Sequence, residues 1–187
     1  MQLFTDVSLV LPANQTRAQI VHRFDGRYEP MNPKELVALV GELASTIDVS
    51  GIDYVLGFPE GGVIPAFAFA QLVDRPLVLS TRLQLDMPGI ISFEEPHSGL
   101  GTTHYIQGLR DGHRVVIVED EVTTGRTVIS AARALRASGV RIGDVCALLV
   151  VDDPRLRQAM QDERLRLHAR FRLPARYAQL LGVATAE

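Results

Sequence analysis

A chain of 187 residues, 47% hydrophobic and 22% charged, has the size and balance of one globular domain with its own core. Its formal charge of −3 gives no general attraction for nucleic acid, and its single cysteine, Cys146, excludes an internal disulfide. No apolar run approaches the ~20 residues of a membrane-spanning helix, and the N-terminus lacks the basic start and apolar stretch of a signal peptide; a cytoplasmic protein is expected.

The first clear element begins at Asn32-Pro33-Lys34-Glu35, a helix start with Asn as N-cap, Pro in the first turn and Glu placed for a capping box. Leu36, Leu39, Val40, Leu43 and Ile47 follow at helical spacing and predict one apolar face. Asp53 to Leu56 reads as a short strand that breaks at Gly57, followed by a glycine-rich turn and a buried helix from Val63 to Leu72. Pro76 to Ser80 supplies the next strand. From Leu83 to Gly112 the pattern loosens, with short β-like pieces such as Ile90 to Phe93; insertions of this kind are often functional.

Arg114 to Val118 reads as a strand, Thr127 to Ala137 as a helix closed by Ser138-Gly139, and Val145 to Val151 as a core strand that buries Cys146 as an inert thiol. Asp153-Pro154 caps a short helix reaching about Asp162. Alternating strands and helices with near-continuous apolar strands predict an α/β fold, a parallel sheet covered on both faces. In the tail, Leu165, Leu167, Ala169, Phe171 and Leu173 alternate with Arg164, Arg166, His168, Arg170 and Arg172. That pattern predicts a half-buried strand with a basic outer face.

The segment from Val115 to Thr127 carries the chemistry. An apolar strand ends in Glu119 and Asp120, and a turn of Thr123, Thr124, Gly125 and Arg126 runs into a helix at Thr127. Ligands of open α/β sheets sit beyond the carboxyl ends of the strands, and a helix N-terminus offers unpaired N–H groups to an anion. Carboxylates repel phosphate and suit hydroxyls or a metal. One phosphate beside a diol outlines a ribose 5-phosphate.

This segment resembles the signature of the type I phosphoribosyltransferases. The resemblance covers about residues 33 to 152 and implies a fold with a central, mainly parallel sheet flanked by helices and topped by a small hood. It implies that Glu119 and Asp120 bind the ribose hydroxyls of phosphoribosyl pyrophosphate and that Thr123, Thr124, Gly125, Arg126 and Thr127 wrap the 5-phosphate. The loop containing Phe58, Pro59, Glu60 and Gly61 lies where the family binds pyrophosphate, and Arg82 where adenine-type members place a basic residue reaching it. The donor would come with Mg²⁺ near Glu119 and Asp120, with no side chain named as its direct ligand. A single domain over 1–187 is implied, with the hood drawn from 1–30 and 83–112. So are a homodimer, a heterocyclic base as co-substrate, and a place in nucleotide metabolism such as purine salvage.

Leu85-Asp86-Met87-Pro88-Gly89 is similar to a Lys-Leu-Pro-Gly stretch of the adenine branch. Other positions depart from that branch. Gly61 stands where it carries Arg, Val63 where it carries an aromatic residue, and Asp86 where it carries Lys. Arg126 resembles the Lys of hypoxanthine–guanine enzymes, and Thr123 the residue of orotate enzymes. Glu94, Glu95 and His97 are the hood residues able to move protons. These departures leave a second reading open, a regulator that senses phosphoribosyl pyrophosphate and binds nucleic acid through the basic stripe with little or no catalysis.

Overall fold

A computed structural model describes residues 2–4, 7–10, 18–95 and 102–178. In chain order its elements are β1 (Gln2–Phe4), β2 (Val7–Val10), β3 (Gln19–His22), α1 (Pro33–Ala44), β4 (Tyr54–Gly57), α2 (Val63–Val73) and β5 (Leu77–Leu79). There follow β6 (Ile91–Glu95), β7 (Thr102–Ile106), β8 (Arg114–Val122), α3 (Arg126–Ala137), β9 (Arg141–Asp152), α4 (Pro154–Asp162) and β10 (Leu167–Pro174), with a 3-10 turn at Ala175–Tyr177.

The expected parallel sheet is present in the order β10-β9-β8-β4-β5, with every neighbouring pair parallel. Its central strands are buried on both faces, which explains their unbroken apolar runs. Val116 and Val118 of β8 face one core with Val40 and Leu43 of α1 and Phe69 of α2. Val115 and Ile117 face the other with Ala131, Ala132 and Leu135 of α3. Cys146 is fully buried in the first core, and burial first, then the charge of Asp144, pushes its thiol up to about 12. Among the described residues no helix is long and apolar enough to cross a membrane.

Local chemistry sets the helix starts as the sequence predicts. Asn32 accepts a hydrogen bond from the Lys34 amide (3.1 Å) and donates its side-chain amide to Glu35 (2.9 Å). Asp153 caps α4 by accepting from the Arg155 amide at 2.8 Å.

Two strand boundaries differ from expectation for a clear physical reason. Strand β8 continues past Val118 to Val122, because Glu119, Glu121 and Val122 pair with Ala147, Leu149 and Val150 of the equally long β9. Its other neighbour, β4, stops at Gly57 opposite Val118. The acidic residues therefore lie on a strand that overshoots its neighbour, next to the loop that leaves it. The tail strand starts at Leu167 rather than Arg164, since Arg164 takes a left-handed φ of 51° and the Leu165 amide turns back to Met160 O at 2.8 Å. Those residues close α4 instead.

The loosely patterned stretch holds an antiparallel hairpin, β6–β7, with Ile91, Phe93 and Ile106 buried against the α3 side of the sheet. Paired backbone bonds between Thr81 and Tyr105 (2.9 and 2.8 Å) tie it to the end of β5. His97 lies outside the described residues. The N-terminal strands β1, β2 and β3 form a separate antiparallel sheet that packs, through Val7, Leu9 and Ile20, on the α1 side.

Candidate active site

The loop leaving β4 and the overshooting end of β8 meet face to face. A Cβ built on Gly61 would overlap Asp120 Oδ2, and one on Gly62 would lie 2.7 Å from Glu119 Oε2. Only backbone without side chains can approach the two carboxyl groups this closely. Phe58, by contrast, turns inward; it is buried, with its ring 5.2 Å from that of Phe93, so it offers the loop only its backbone. Pro59 is half-buried and Glu60 exposed.

The third side of this site comes from residues that sequence reading did not single out. Strand β3 and the turn after it deliver His22, Asp25 and Arg27. His22 Nε2 lies 3.2 Å from Asp120 Oδ2 and 3.8 Å from Glu121 Oε2. Arg27 Nη2 donates to Asp120 Oδ2 at 3.0 Å, while its Nε donates to Asp25 Oδ2 and its backbone N–H to Asp25 Oδ1 at 2.9 Å. The alternation of Ile20 and His22 toward the interior was the available signal, on a strand of four residues.

Electrostatics divide the three consecutive acids. Burial works against a charge on Asp120, but the His22 contact and the Arg27 guanidinium outweigh it and hold this carboxyl below the usual range. Burial raises Glu119 well above its ordinary value, and the adjacent Asp120 charge adds to the effect. The same two causes, in the same order, raise Glu121. His22 is lowered by burial but raised by more through Asp120, Glu121 and Asp25, so its proton is held above the ordinary value. Within this cluster the acids are therefore driven in opposite directions, Asp120 toward the charged form and Glu119 and Glu121 toward the protonated one.

Beyond β8, half-buried Thr123 and Thr124 lead to Gly125, which caps α3 with a left-handed φ of 73°. The helix begins at Arg126, one residue earlier than expected. The Arg126 amide bonds Thr124 Oγ1 at 3.3 Å, its side chain is exposed, and Thr127 is half-buried. Gly125 has a packing reason besides its φ: a Cβ there would lie 2.6 Å from Leu156 Cδ1 of α4 and 3.1 Å from Met160 Cε.

Arg82 stands between the glycine loop and the hairpin, 3.6 Å from Glu60 and 3.6 Å from Glu95. Glu95 in turn is 3.1 Å from His104 Nε2, and His104 Nδ1 is 3.1 Å from Ser80 Oγ. His104 and Ser80 are both buried. Glu94 takes the opposite side of the strand, where it accepts from Thr103 at 2.7 Å.

The basic tail strand is occupied. Arg166 and His168 each lie 2.8 Å from Asp144, Arg170 is 2.6 Å from Glu42, and Arg172 is 3.7 Å from Asp152. Arginines already facing acids of this chain have less charge to offer a nucleic acid.

Comparison with known proteins gives the family and the fold. The phosphoribosyl transferase family matches residues 7–183. HGPRTase-like protein 3 of Haloterrigena turkmenica is 26% identical over 129 residues, which is 69% of this chain and 69% of its own length. The orotate phosphoribosyltransferase of Cenarchaeum symbiosum is 33% identical over 134 residues, 69% of this chain and 60% of its own. Among solved structures, the Giardia lamblia APRTase in complex with 9-deazaadenine superimposes with a TM-score of 0.68 at 16% identity, covering 89% of this chain and 93% of that one. The likeness to that structure is one of fold. A family match running from residue 7 to residue 183 takes in every described element from β2 onward, and the chain belongs to the phosphoribosyl transferase family.

Proposed function

We propose that the chain transfers the 5-phosphoribosyl group of phosphoribosyl pyrophosphate to a ring nitrogen of a heterocyclic base, a purine such as adenine or a related heterocycle, with release of pyrophosphate. The observation that carries this reading is the packing of the Gly61-Gly62 loop onto Glu119 and Asp120, beside a hydroxyl-rich turn at a helix N-terminus. A ligand spanning all three needs a diol between a phosphate and a second anionic group.

Asp120, held toward its charged form, accepts from the ribose hydroxyls; Glu119, pushed toward its protonated form by burial, is placed to donate as well as accept. Thr123, Thr124, Gly125, Arg126 and Thr127 surround the 5-phosphate with hydroxyls and the first amides of α3. Pro59, Glu60, Gly61 and the backbone of Phe58 line the pyrophosphate, with Arg82 alongside. As the bond from ribose C1 to pyrophosphate lengthens, positive charge grows on the sugar beside the Asp120 carboxylate, which stabilises it. Most of the remaining effect is positioning of the base against C1.

Mg²⁺ fits the side chains present. Asp25 and Asp120 bring carboxylate oxygens within 4.8 Å of one another, and two carboxylates beside phosphate oxygens suit a hard cation. When bound it offsets charge on the departing pyrophosphate. The hairpin and the N-terminal segment, within 83–112 and 1–30, form the cover of a single domain in this reading. A cytoplasmic homodimer working in purine salvage is the setting it carries. The regulatory alternative draws no support from the relatives' names or from the paired arginines of β10.

The test is calorimetric titration with phosphoribosyl pyrophosphate in Mg²⁺, followed by pyrophosphate release across a panel of bases. Binding with release for one base names the acceptor. Absence of binding overturns the reading.

A further inference from the structure

The glycine loop carries a single formal charge, the carboxylate of Glu60, and a pyrophosphate seated there needs cations. Arg82 answers part of that need from the hairpin side, close to Glu60 itself. On the other side, at Gly61, no side chain can rise from the loop, because its Cβ would overlap Asp120. The space above Gly61 is filled from elsewhere. Arg27 Nη2 lies 2.7 Å from that Cβ position.

Three features make Arg27 more than a filler. Its aim is fixed by Asp25, which accepts from both the backbone N–H and the Nε of Arg27. The described residues engage its Nε and Nη2, leaving the two donors of Nη1 for a ligand. The side chain keeps 34% of its surface exposed, whereas its partners Asp25 and Asp120 keep 1% and 6%. A guanidinium held by Asp25, lying over the Tyr28 ring at 5.5 Å to the centroid and still partly exposed, is suited to bidentate recognition of phosphate.

We propose that Arg27, carried by the turn between β3 and α1, is a pyrophosphate-binding residue of this site and supplies the charge that the loop cannot hold at position 61. The assignment rests on the functional reading above. It also gives Arg27 two partners in succession. Without donor, Nη2 rests on Asp120; with donor, the guanidinium turns to the pyrophosphate and Asp120 is released to the ribose hydroxyls. Asp25 holds Nε in both states.

Calorimetric titration of the wild-type chain, Arg27→Gln and Arg27→Lys with Mg²⁺–pyrophosphate, ribose 5-phosphate and phosphoribosyl pyrophosphate tests this. Arg27→Gln is expected to weaken pyrophosphate and donor binding by about tenfold or more, the loss of a charge-assisted pair, and to leave ribose 5-phosphate affinity equal or tighter. Arg27→Lys, which keeps the charge without the fork, is expected to fall between the two with an unchanged melting temperature, and it serves as the reading should Arg27→Gln fail to fold. Pyrophosphate affinity unchanged in both variants overturns the assignment alone. An equal loss of pyrophosphate and ribose 5-phosphate also overturns it, since Arg27 would then only shape Asp120. A wild-type chain that binds neither pyrophosphate nor the donor overturns the functional reading and this assignment together.

Discussion

His104, a fully buried residue of the hairpin strand β7, sets Glu95 in place: its Nε2 lies 3.1 Å from Glu95 Oε2. Ser80 on the far side of the ring fixes the imidazole at 3.1 Å from Nδ1, and Phe93 stacks on it with centroids 5.0 Å apart. The hairpin glutamates, equivalent in sequence, are thereby separated into one tethered toward Arg82 and one turned toward Thr103. We expect Glu95→Gln to lower kcat with little change in KM for the donor, and Glu94→Gln to leave both near wild type. Steady-state kinetics on the two variants decide it; equal effects would remove Glu95 from proton movement.

Replacing His104 by Ala empties a buried ring site and strands the Ser80 hydroxyl. A loss of about 2–4 kcal/mol of stability is expected, from the cavity and the lost hydrogen bonds together. Urea unfolding measures it, and a loss under about 1 kcal/mol would mean that the hairpin reseats without its histidine.

Gly61→Ala places a methyl group against Asp120. The neighbour is an anchored carboxylate rather than the free end of a long side chain, so we expect destabilisation of about 1–3 kcal/mol and loss of donor binding together. Wild-type melting with wild-type donor affinity in this variant would show that the loop and the carboxylate do not meet as described.

Asp120→Asn tests the ribose contact directly. Neutralising the Asp120 carboxyl should cut kcat/KM by about tenfold or more while the fold survives, since the amide retains an acceptor for Arg27. Unchanged kinetics would exclude Asp120 from the site.

The ligand-free chain should also respond to pH in a definite direction. Glu119 and Glu121 keep their protons in the fold above the value of 4.5 at which an unfolded glutamate releases them. Their contribution therefore falls as pH rises from that point. His22, held above 6.5, contributes fully below that value and loses its contribution as pH rises through its folded pKa. All three act in the same sense, and the melting temperature is expected to drop between about pH 6 and about pH 9. Glu121→Gln should flatten that slope; a rise in stability over the same interval would reverse the assignment of protons.

What was legible in the sequence was local. The strand ending in Glu119 and Asp120, the glycine loop and the capped helices each announce themselves within a dozen residues, through period, turn chemistry and hydroxyl content. The contact between Arg27 and Asp120 joins residues 93 apart, and no short-range pattern encodes it. Strands of three or four residues, as in β1 to β3, give too few alternations to be read. For β10 the alternation revealed a basic face correctly, while its acids come from elsewhere in the chain, Glu42 from α1 and Asp144 and Asp152 from β9. Which residues surround an arginine is a property of the tertiary arrangement.

Leu156 and Met160 occupy the space that any side chain at position 125 would need. The turn assigned to the 5-phosphate is thus moulded from below by a helix made later in the chain, two elements downstream. A ribosome that has released only as far as β9 holds a nascent chain with the acidic pair and the threonines complete but the mould missing. The turn finds its packing partner only once α4 has docked, so this part of the site depends on a helix that follows it in the chain.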